Sequence, residues 1–199
     1  EKTMPDGFNQ DLSEDTENFG GYIIRGSYTA RFFQRQSPAM LSMAARLNGC
    51  RSDAENRPFR YCELGCGNGL TANVLAAAYP ESKFFAVDFI PQHIETARSV
   101  ASAAGLENIT FEAFDFGTVL ASDIEPFDFV TVHGVLSWID SLTQDQLIET
   151  VSKILKPGGL AFVSYNCQPG WAAMTPFSEM MRTAVDGLGG NAAERAQAA

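Results

Sequence analysis

The sequence predicts an α/β fold: a Rossmann-like, doubly wound, mainly parallel sheet with helices on both faces. Near-continuous apolar strands alternate with amphipathic helical stretches between residues 59 and 165, the pattern of a sheet covered on both sides. A glycine-rich turn, Glu63-Leu64-Gly65-Cys66-Gly67-Asn68-Gly69, falls where the first of these strands meets the first helix. Right-handed crossovers then force the strands to wind outward from a central pair.

Residues 1–19 read as an acidic, flexible tail, because positions 1–17 hold six acids and one lysine and too little apolar surface to pack. A helical segment is expected over 20–58. Its opening, Gly20 to Gln36, carries Tyr22, Ile23, Ile24, Tyr28, Phe32 and Phe33 with a spacing that suits a helix or loop lying on another element rather than a strand. Ser37 then caps a helix of about three turns, with Pro38 in its first position, Met40, Leu41, Ala44 and Leu47 as its apolar stripe, and Gly49 past its end. The polar stretch 50–59, which includes Pro58, forms a loop.

The α/β domain itself is expected over 59–188. Its strands run Phe59 to Leu64, Lys83 to Asp88, Ile109 to Ala113, Phe127 to His133 and Leu160 to Tyr165. The helix Leu70 to Tyr79 turns Leu70, Val74, Leu75 and Ala78 inward and stops at Pro80. Pro91 opens the next helix, with Ile94, Ala97, Val100, Ala101 and Ala104 on one face and Gly105 as its left-handed terminus. Gly117 to Ser122 reads as a connection. A helix from about Thr143 buries Leu147, Val151, Ile154 and Leu155, and Lys156-Pro157-Gly158-Gly159 turns the chain into the fifth strand. One further helix begins at Thr175-Pro176, residues 189–199 form a flexible tail, and no sixth or seventh strand follows.

Composition excludes some functions. Against 24 Asp and Glu stand 14 Lys and Arg, a formal charge of −10 that opposes polyanion binding, so a nucleic-acid partner is not expected. The seven arginines between Arg25 and Arg60 read as solvated surface. Cys50, Cys62, Cys66 and Cys167 form no C-x-x-C pair and have no histidine at zinc spacing. The expectation is therefore reduced thiols, no metal and a cytoplasmic protein. No apolar run suits a membrane span, and no pattern specifies an oligomeric state.

The glycine turn brings backbone close to a ligand. Asp88 ends the second strand 19 positions after Gly69, where an acid accepts hydrogen bonds from ribose hydroxyls. The dinucleotide fingerprint fails, because the position for its third glycine is Leu70. Glu63 would also repel a pyrophosphate at the helix N-terminus and favour a cationic ligand.

Taken in order, YCELGCGNG, FFAVDF, NITFEAFDF, PFDFVTVHGV and LKPGGLAFVSY resemble the successive motifs of class I S-adenosylmethionine (SAM) dependent methyltransferases, over about residues 59–165. The resemblance implies a SAM cofactor with Glu63, Gly65, Cys66, Gly67, Asn68 and Gly69 around its methionine part. It also implies Asp88 on the ribose, Phe89 beside the adenine, and Asp115 and Phe116 at the adenine amine and ring face. His133 and Gly134 would lie beside the methyl-donor and acceptor pockets. HGVLSW, SYNCQPGW and SPAMLSMAARLNG are further similar to bacterial methyltransferases that carry a regulatory domain, some of them rickettsial protein-lysine methyltransferases. Relative to the full seven-stranded fold of the class, the last strands are missing.

SAM brings its own leaving group, so alignment of the acceptor and exclusion of water suffice, and no catalytic residue is assigned. His133 is the candidate base, and Tyr165 and Asn166 are candidate lining residues. The acceptor is a protein lysine or a small molecule. Two other readings stay open: a SAM-binding module without activity in this length of chain, and an NAD-linked oxidoreductase.

Overall fold

The computed structural model describes residues 18–19, 22–23, 31–50 and 54–185. Of the tail expected over 1–19 only Asn18 and Phe19 are described, and they form a strand; the tail expected over 189–199 lies outside the described residues. Two compact units divide the chain: Gly26–Tyr165, and Glu1–Arg25 together with Asn166–Ala199.

In the second of these units, β1 (Asn18–Phe19) pairs antiparallel with β2 (Tyr22–Ile23). Strand pairing therefore stands where the sequence suggested a helix or loop.

The larger unit opens with a 3-10 turn at Gln34–Gln36, followed by α1 (Pro38–Leu47). Ser37 Oγ accepts the Met40 N–H at 3.4 Å, the cap expected from sequence. The expected stripe is not the buried face: Leu41 is buried, but Ala44 is exposed and Leu47 is 79% exposed. Pro38, Leu41 and Ser42 make the contact side instead.

There follow β3 (Arg60–Leu64), α2 (Leu70–Ala78), β4 (Lys83–Val87), α3 (Pro91–Ala103), β5 (Ile109–Glu112), α4 (Phe116–Ala121), β6 (Phe127–Val132), α5 (Ser141–Ile154) and β7 (Leu155–Val163). The five strands from β3 to β7 form one parallel sheet in the order β5-β4-β3-β6-β7. This is the doubly wound arrangement expected from the alternating pattern. Helices α2 and α3 pack together on β4 and β5, and α4 and α5 pack together beside β6.

Tyr61 stands between its register partners Phe84 and Phe129, and with Phe59, Leu75 and Leu41 these rings make the centre of one cluster. Each fully buried ring contributes about 2–3 kcal/mol of transfer free energy. A second cluster joins Ala72, Ala86, Ile94, Ala97, Ala101 and Phe111. Its small residues let α2 approach the sheet and α3 closely. That approach rotates α2 relative to expectation: Ala72, Leu75 and Ala76 face inward, while Val74 is 39% exposed.

Two loops also differ from expectation. Asp115 Oδ1 accepts the Thr118 N–H and caps a helix through Gly117, where a connection was expected. In β7, Leu155 pairs with Phe127 but Leu160 pairs with Phe129. The expected Lys156-Pro157-Gly158-Gly159 turn is therefore a bulge inside the strand pairing, and Leu155 belongs to the sheet rather than to the helix. In the other unit, α6 (Thr175–Val185) follows a bond from Gln168 Nε2 to Thr175 Oγ1 at 3.0 Å. No helix among the described residues is long and apolar enough to cross a membrane.

At the start of the central strands, Asp128 gathers three donors. Arg57 Nη2 donates to its Oδ1 at 2.8 Å, and the Arg60 N–H and Lys156 Nζ donate to Oδ2 at 2.9 and 2.8 Å. Burial alone would raise this carboxyl, but the bonds from Lys156, Arg60 and Arg57 outweigh it and hold the pKa below 3.8. A lowered carboxyl pKa stabilises the fold above the unfolded value, and that stability is lost as pH falls through the folded value. Asp128→Asn should therefore cost about 1–3 kcal/mol at neutral pH. Urea unfolding should show the difference shrinking below about pH 4.

Candidate functional site

The sheet reverses its winding between β3 and β6, since the chain runs from β3 outward through β4 and β5 and returns to β6. In open α/β sheets ligands bind in the crevice outside the strand ends at this point. The glycine turn lies there. The Gly65 and Cys66 N–H groups both donate to the Val87 carbonyl, at 2.8 and 2.9 Å. Gly69 occupies the left-handed N-cap of α2 at φ 67°, and a Cβ on it would stand 2.6 Å from Ala97 Cβ and 2.7 Å from the Phe111 ring. A left-handed backbone pressed against a helix and a strand admits glycine alone.

Asp88, 4% exposed just after β4, ties this turn to the neighbouring strand. Its Oδ2 accepts the Gly67 N–H at 2.8 Å, and its Oδ1 accepts the Ile90 N–H at 3.0 Å and lies 3.2 Å from His93 Nδ1.

Glu63 ends the buried face of β3. Burial pushes its carboxyl up to about 8; a hydrogen bond from Gln36 opposes this, the Asp88 charge reinforces it, and the Ala72 N–H opposes it again. Glu63 Oε2 and Gln36 Oε1 are both buried and have no hydrogen-bond partner among the described residues. The Gln36 backbone is fixed from below, where its carbonyl faces the Tyr61 hydroxyl at 3.4 Å and Thr131 Oγ1 holds that hydroxyl at 2.8 Å.

One open cleft is lined by Glu63, Gly65, Cys66, Gly67 and Asn68 from the turn and by His133 and Gly134 from the end of β6. These are seven of the positions singled out in the sequence. Gly69 lies beneath the turn, Asp88 touches it through Gly67, and Phe89 follows Asp88 half-buried. Asp115 and Phe116 sit at the start of α4, outside this lining, with Phe116 only 3% exposed.

The sequence did not point to the rest of the lining: Arg31, Phe33 and Gln36 before α1, and Leu70 and Thr71 at the start of α2. Thr71 Oγ1 accepts the Phe33 N–H at 3.2 Å and donates to the Arg31 carbonyl at 3.4 Å, which stitches the segment to α2. Aromatic residues in that stretch signalled packing, but nothing local signalled a buried glutamine.

Ser164 Oγ accepts the Gly134 N–H at 2.9 Å and lies 2.6 Å from His133 Nδ1. The hydroxyl keeps its proton and a second lone pair, so it can pair with His133 Nδ1 in either tautomer. Burial and then the Arg35 charge hold His133 below its ordinary 6.5, so it is neutral at pH 7. The Phe33 ring meets it edge-on at 4.1 Å. Of the candidate lining residues, Tyr165 is 58% exposed, while Asn166 belongs to the other unit.

Buried carbonyl-type oxygens with spare acceptor capacity suit a ligand that donates hydrogen bonds and carries positive charge. Glu63 keeps its proton to about pH 8 in the empty cleft, so it opposes a pyrophosphate at the N-terminus of α2 only once ionised.

A family described as a methyltransferase domain matches residues 56–192. The protein sll1526 of Synechocystis sp. is 38% identical over 161 residues, 81% of this chain and 32% of the relative. RP028 of Rickettsia prowazekii is 35% identical over 119 residues, 60% of this chain and 47% of the relative. Among solved structures, PKMT2 from Rickettsia typhi in complex with AdoHcy superposes with a TM-score of 0.72 at 30% identity, covering 86% of this chain and 33% of that one. The chain thus spans between a third and a half of the length of these relatives.

Gly69→Ala should cost about 2–4 kcal/mol, from left-handed strain plus overpacking against Ala97 and Phe111, as read by thermal or urea unfolding. For Glu63 the folded pKa of about 8 exceeds the ordinary 4.5 of a glutamate. Its favourable contribution is complete below the unfolded value and is lost as pH rises through the folded one. Unfolding free energy should therefore fall by about 1.4 kcal/mol per pH unit across that window, and Glu63→Gln should remove this slope.

Proposed function

This chain belongs to the methyltransferase domain family, of the class I SAM-dependent type, and we propose that its cleft binds SAM and presents the methyl group to an acceptor. The observation that carries the reading is the left-handed glycine turn held by Asp88, with the Glu63 carboxyl opening onto the same cleft. The donor set fits the cofactor: acceptors stand where a cationic amino acid end needs them, and the backbone of the turn is bare enough for close approach.

In this reading the cofactor domain is residues 59–188, and the segment before it contributes the 3-10 turn Gln34–Gln36 and α1. Gly65, Cys66, Gly67, Asn68 and Gly69 shape the wall beside the methionine part, together with Glu63. Asp88 receives the ribose hydroxyls on lone pairs left over from Gly67, and Phe89, Asp115 and Phe116 take the adenine. SAM supplies an electrophilic methyl on a sulfonium with its own leaving group, so the chain needs no nucleophile. Phe33 and Thr71 narrow the cleft and exclude water, which keeps the polar contacts strong. His133 and Gly134 border the methyl-transfer position, and the neutral His133 orients the acceptor rather than binding it by charge.

The acceptor class is a protein lysine or a small molecule, and the net charge of −10 argues against a polyanionic acceptor. Cysteine spacing supports a cytoplasmic setting.

Calorimetric titration should give saturable binding of SAM and of its demethylated product AdoHcy. No heat at millimolar ligand would reject the proposal, and binding of NADH without SAM would favour an oxidoreductase. Asp88→Ala should weaken AdoHcy roughly tenfold to a hundredfold, the weight of charge-assisted hydrogen bonds.

A further inference from the structure

Away from the cleft, where β3, β4, β5 and β6 begin, an open cavity of about 350 Å³ is lined by Arg60, Lys83, Phe85, Thr110 and Phe127. The loops entering β4 and β5 form its floor. That floor is braced from within: Asn108 Nδ2 donates to the Ala76, Tyr79 and Ser82 carbonyls at 3.0, 3.1 and 3.0 Å, and Ser82 Oγ accepts the Phe59 N–H at 3.2 Å. The two loops are thus tied to each other and to the chain entering β3, and the cavity keeps its shape without a ligand.

One face of the sheet is bare here. Phe111 is buried against Ile94 and Ala97 of α3, but Thr110 beside it is exposed, and Phe85, its register partner on β4, is only half-buried. Phe85 stacks on Phe127 at 6.0 Å and 20°. The Arg60 guanidinium lies 5.0 Å from the Phe127 centroid, and its charge is already answered. Its Nη1 meets Glu125 Oε2 at 2.9 Å, and its Nη2 donates to the Glu125 carbonyl at 3.2 Å. Lys83, the register partner of Arg60 on β4, is exposed and has no ion-pair partner among the described residues.

An unpaired ammonium and a half-exposed ring therefore share one face of one strand, two residues and roughly 7 Å apart. That pairing suits an anionic group joined to a flat apolar one. Glu81 and Glu107 border the cavity from its two loops. Both are exposed, so water and salt weaken their effect on a single charge held by Lys83. A second negative charge on the ligand would meet them with no cation of its own.

We propose that this cavity is a second ligand site, for a small aromatic monocarboxylate whose acid group pairs with Lys83 and whose ring lies against Phe85. Five residues of β4, roughly 16 Å, separate Lys83 from Asp88 at the cleft. The occupant is accordingly not the methyl acceptor, and the site stands whether or not the cleft binds SAM.

The test is a titration of isotope-labelled protein with benzoate, followed by nuclear magnetic resonance. The backbone amide signals of Lys83, Phe85 and Thr110 should move along a saturating curve in the millimolar range. Benzyl alcohol lacks the charge, cyclohexanecarboxylate lacks the flat ring and phthalate adds a second charge; each should bind roughly fivefold or more weakly than benzoate. Lys83→Met should weaken benzoate roughly tenfold and leave the signals of the cleft residues in place, which also shows that the variant is folded. Phe85→Leu should remove the preference for benzoate over cyclohexanecarboxylate. Shifts that never saturate, an equal response to phthalate or benzyl alcohol, or unchanged benzoate binding by Lys83→Met would overturn the proposal.

Discussion

The hydrogen bond from the Gly67 N–H to the Asp88 carboxylate joins the turn after β3 to the end of β4. A bond of this kind to a buried charged acceptor contributes about 1.5–3 kcal/mol, and here it acts with two more from the Gly65 and Cys66 N–H groups to the Val87 carbonyl. Left-handed backbone at Gly65, Gly67 and Gly69 would otherwise leave the turn free to choose among several paths. Because β4 holds it at three points, the turn has one path, α2 starts from a fixed place, and the cleft has a wall.

Two carboxylates that are close in space are handled differently by this arrangement. Asp88 accepts from Gly67 and Ile90 and lies against His93, whereas Glu63, equally buried, leaves Oε2 without a partner and keeps its proton to about pH 8. A buried carboxyl whose pKa is raised this far and that lines a cleft is a mark of a functional site. Asp88 holds the turn through Gly67 and keeps lone-pair capacity for a ligand, while Glu63 lines the cleft with Oε2 unpartnered.

Much of the fold was legible in the sequence because a parallel sheet needs long apolar strands and turns of particular chemistry. The doubly wound parallel sheet, the Ser37 cap, the glycine turn and the spacing to Asp88 follow from period, capping and backbone sterics. What did not follow depended on neighbours distant in sequence. Val74 was expected inside, but Ala72 and Ala76 let α2 lie closer along another face. Leu47 was expected in the stripe of α1 and is exposed. Gly117 argued for a connection, and the Asp115 cap overrode it. Among the cleft residues, Glu63 and the glycines carried a local motif, while Gln36, Phe33 and Arg31 did not. A glutamine is ordinarily a surface residue, and only the joint presence of Tyr61, Thr71 and Glu63 brings this segment inward.

The Asp128 clamp has a wider consequence for how the molecule tolerates change. Asp128 begins β6 and His133 follows its end, five residues and roughly 16 Å apart along an extended strand. The ionic knot sits at one pole of the sheet and the cleft at the other, with a dry aromatic layer between them. Perturbations at the two poles are therefore expected to be nearly additive. Rigidity can be raised or lowered at the closed pole while the mouth keeps its affinity, which gives the fold room to drift in sequence without drifting in ligand.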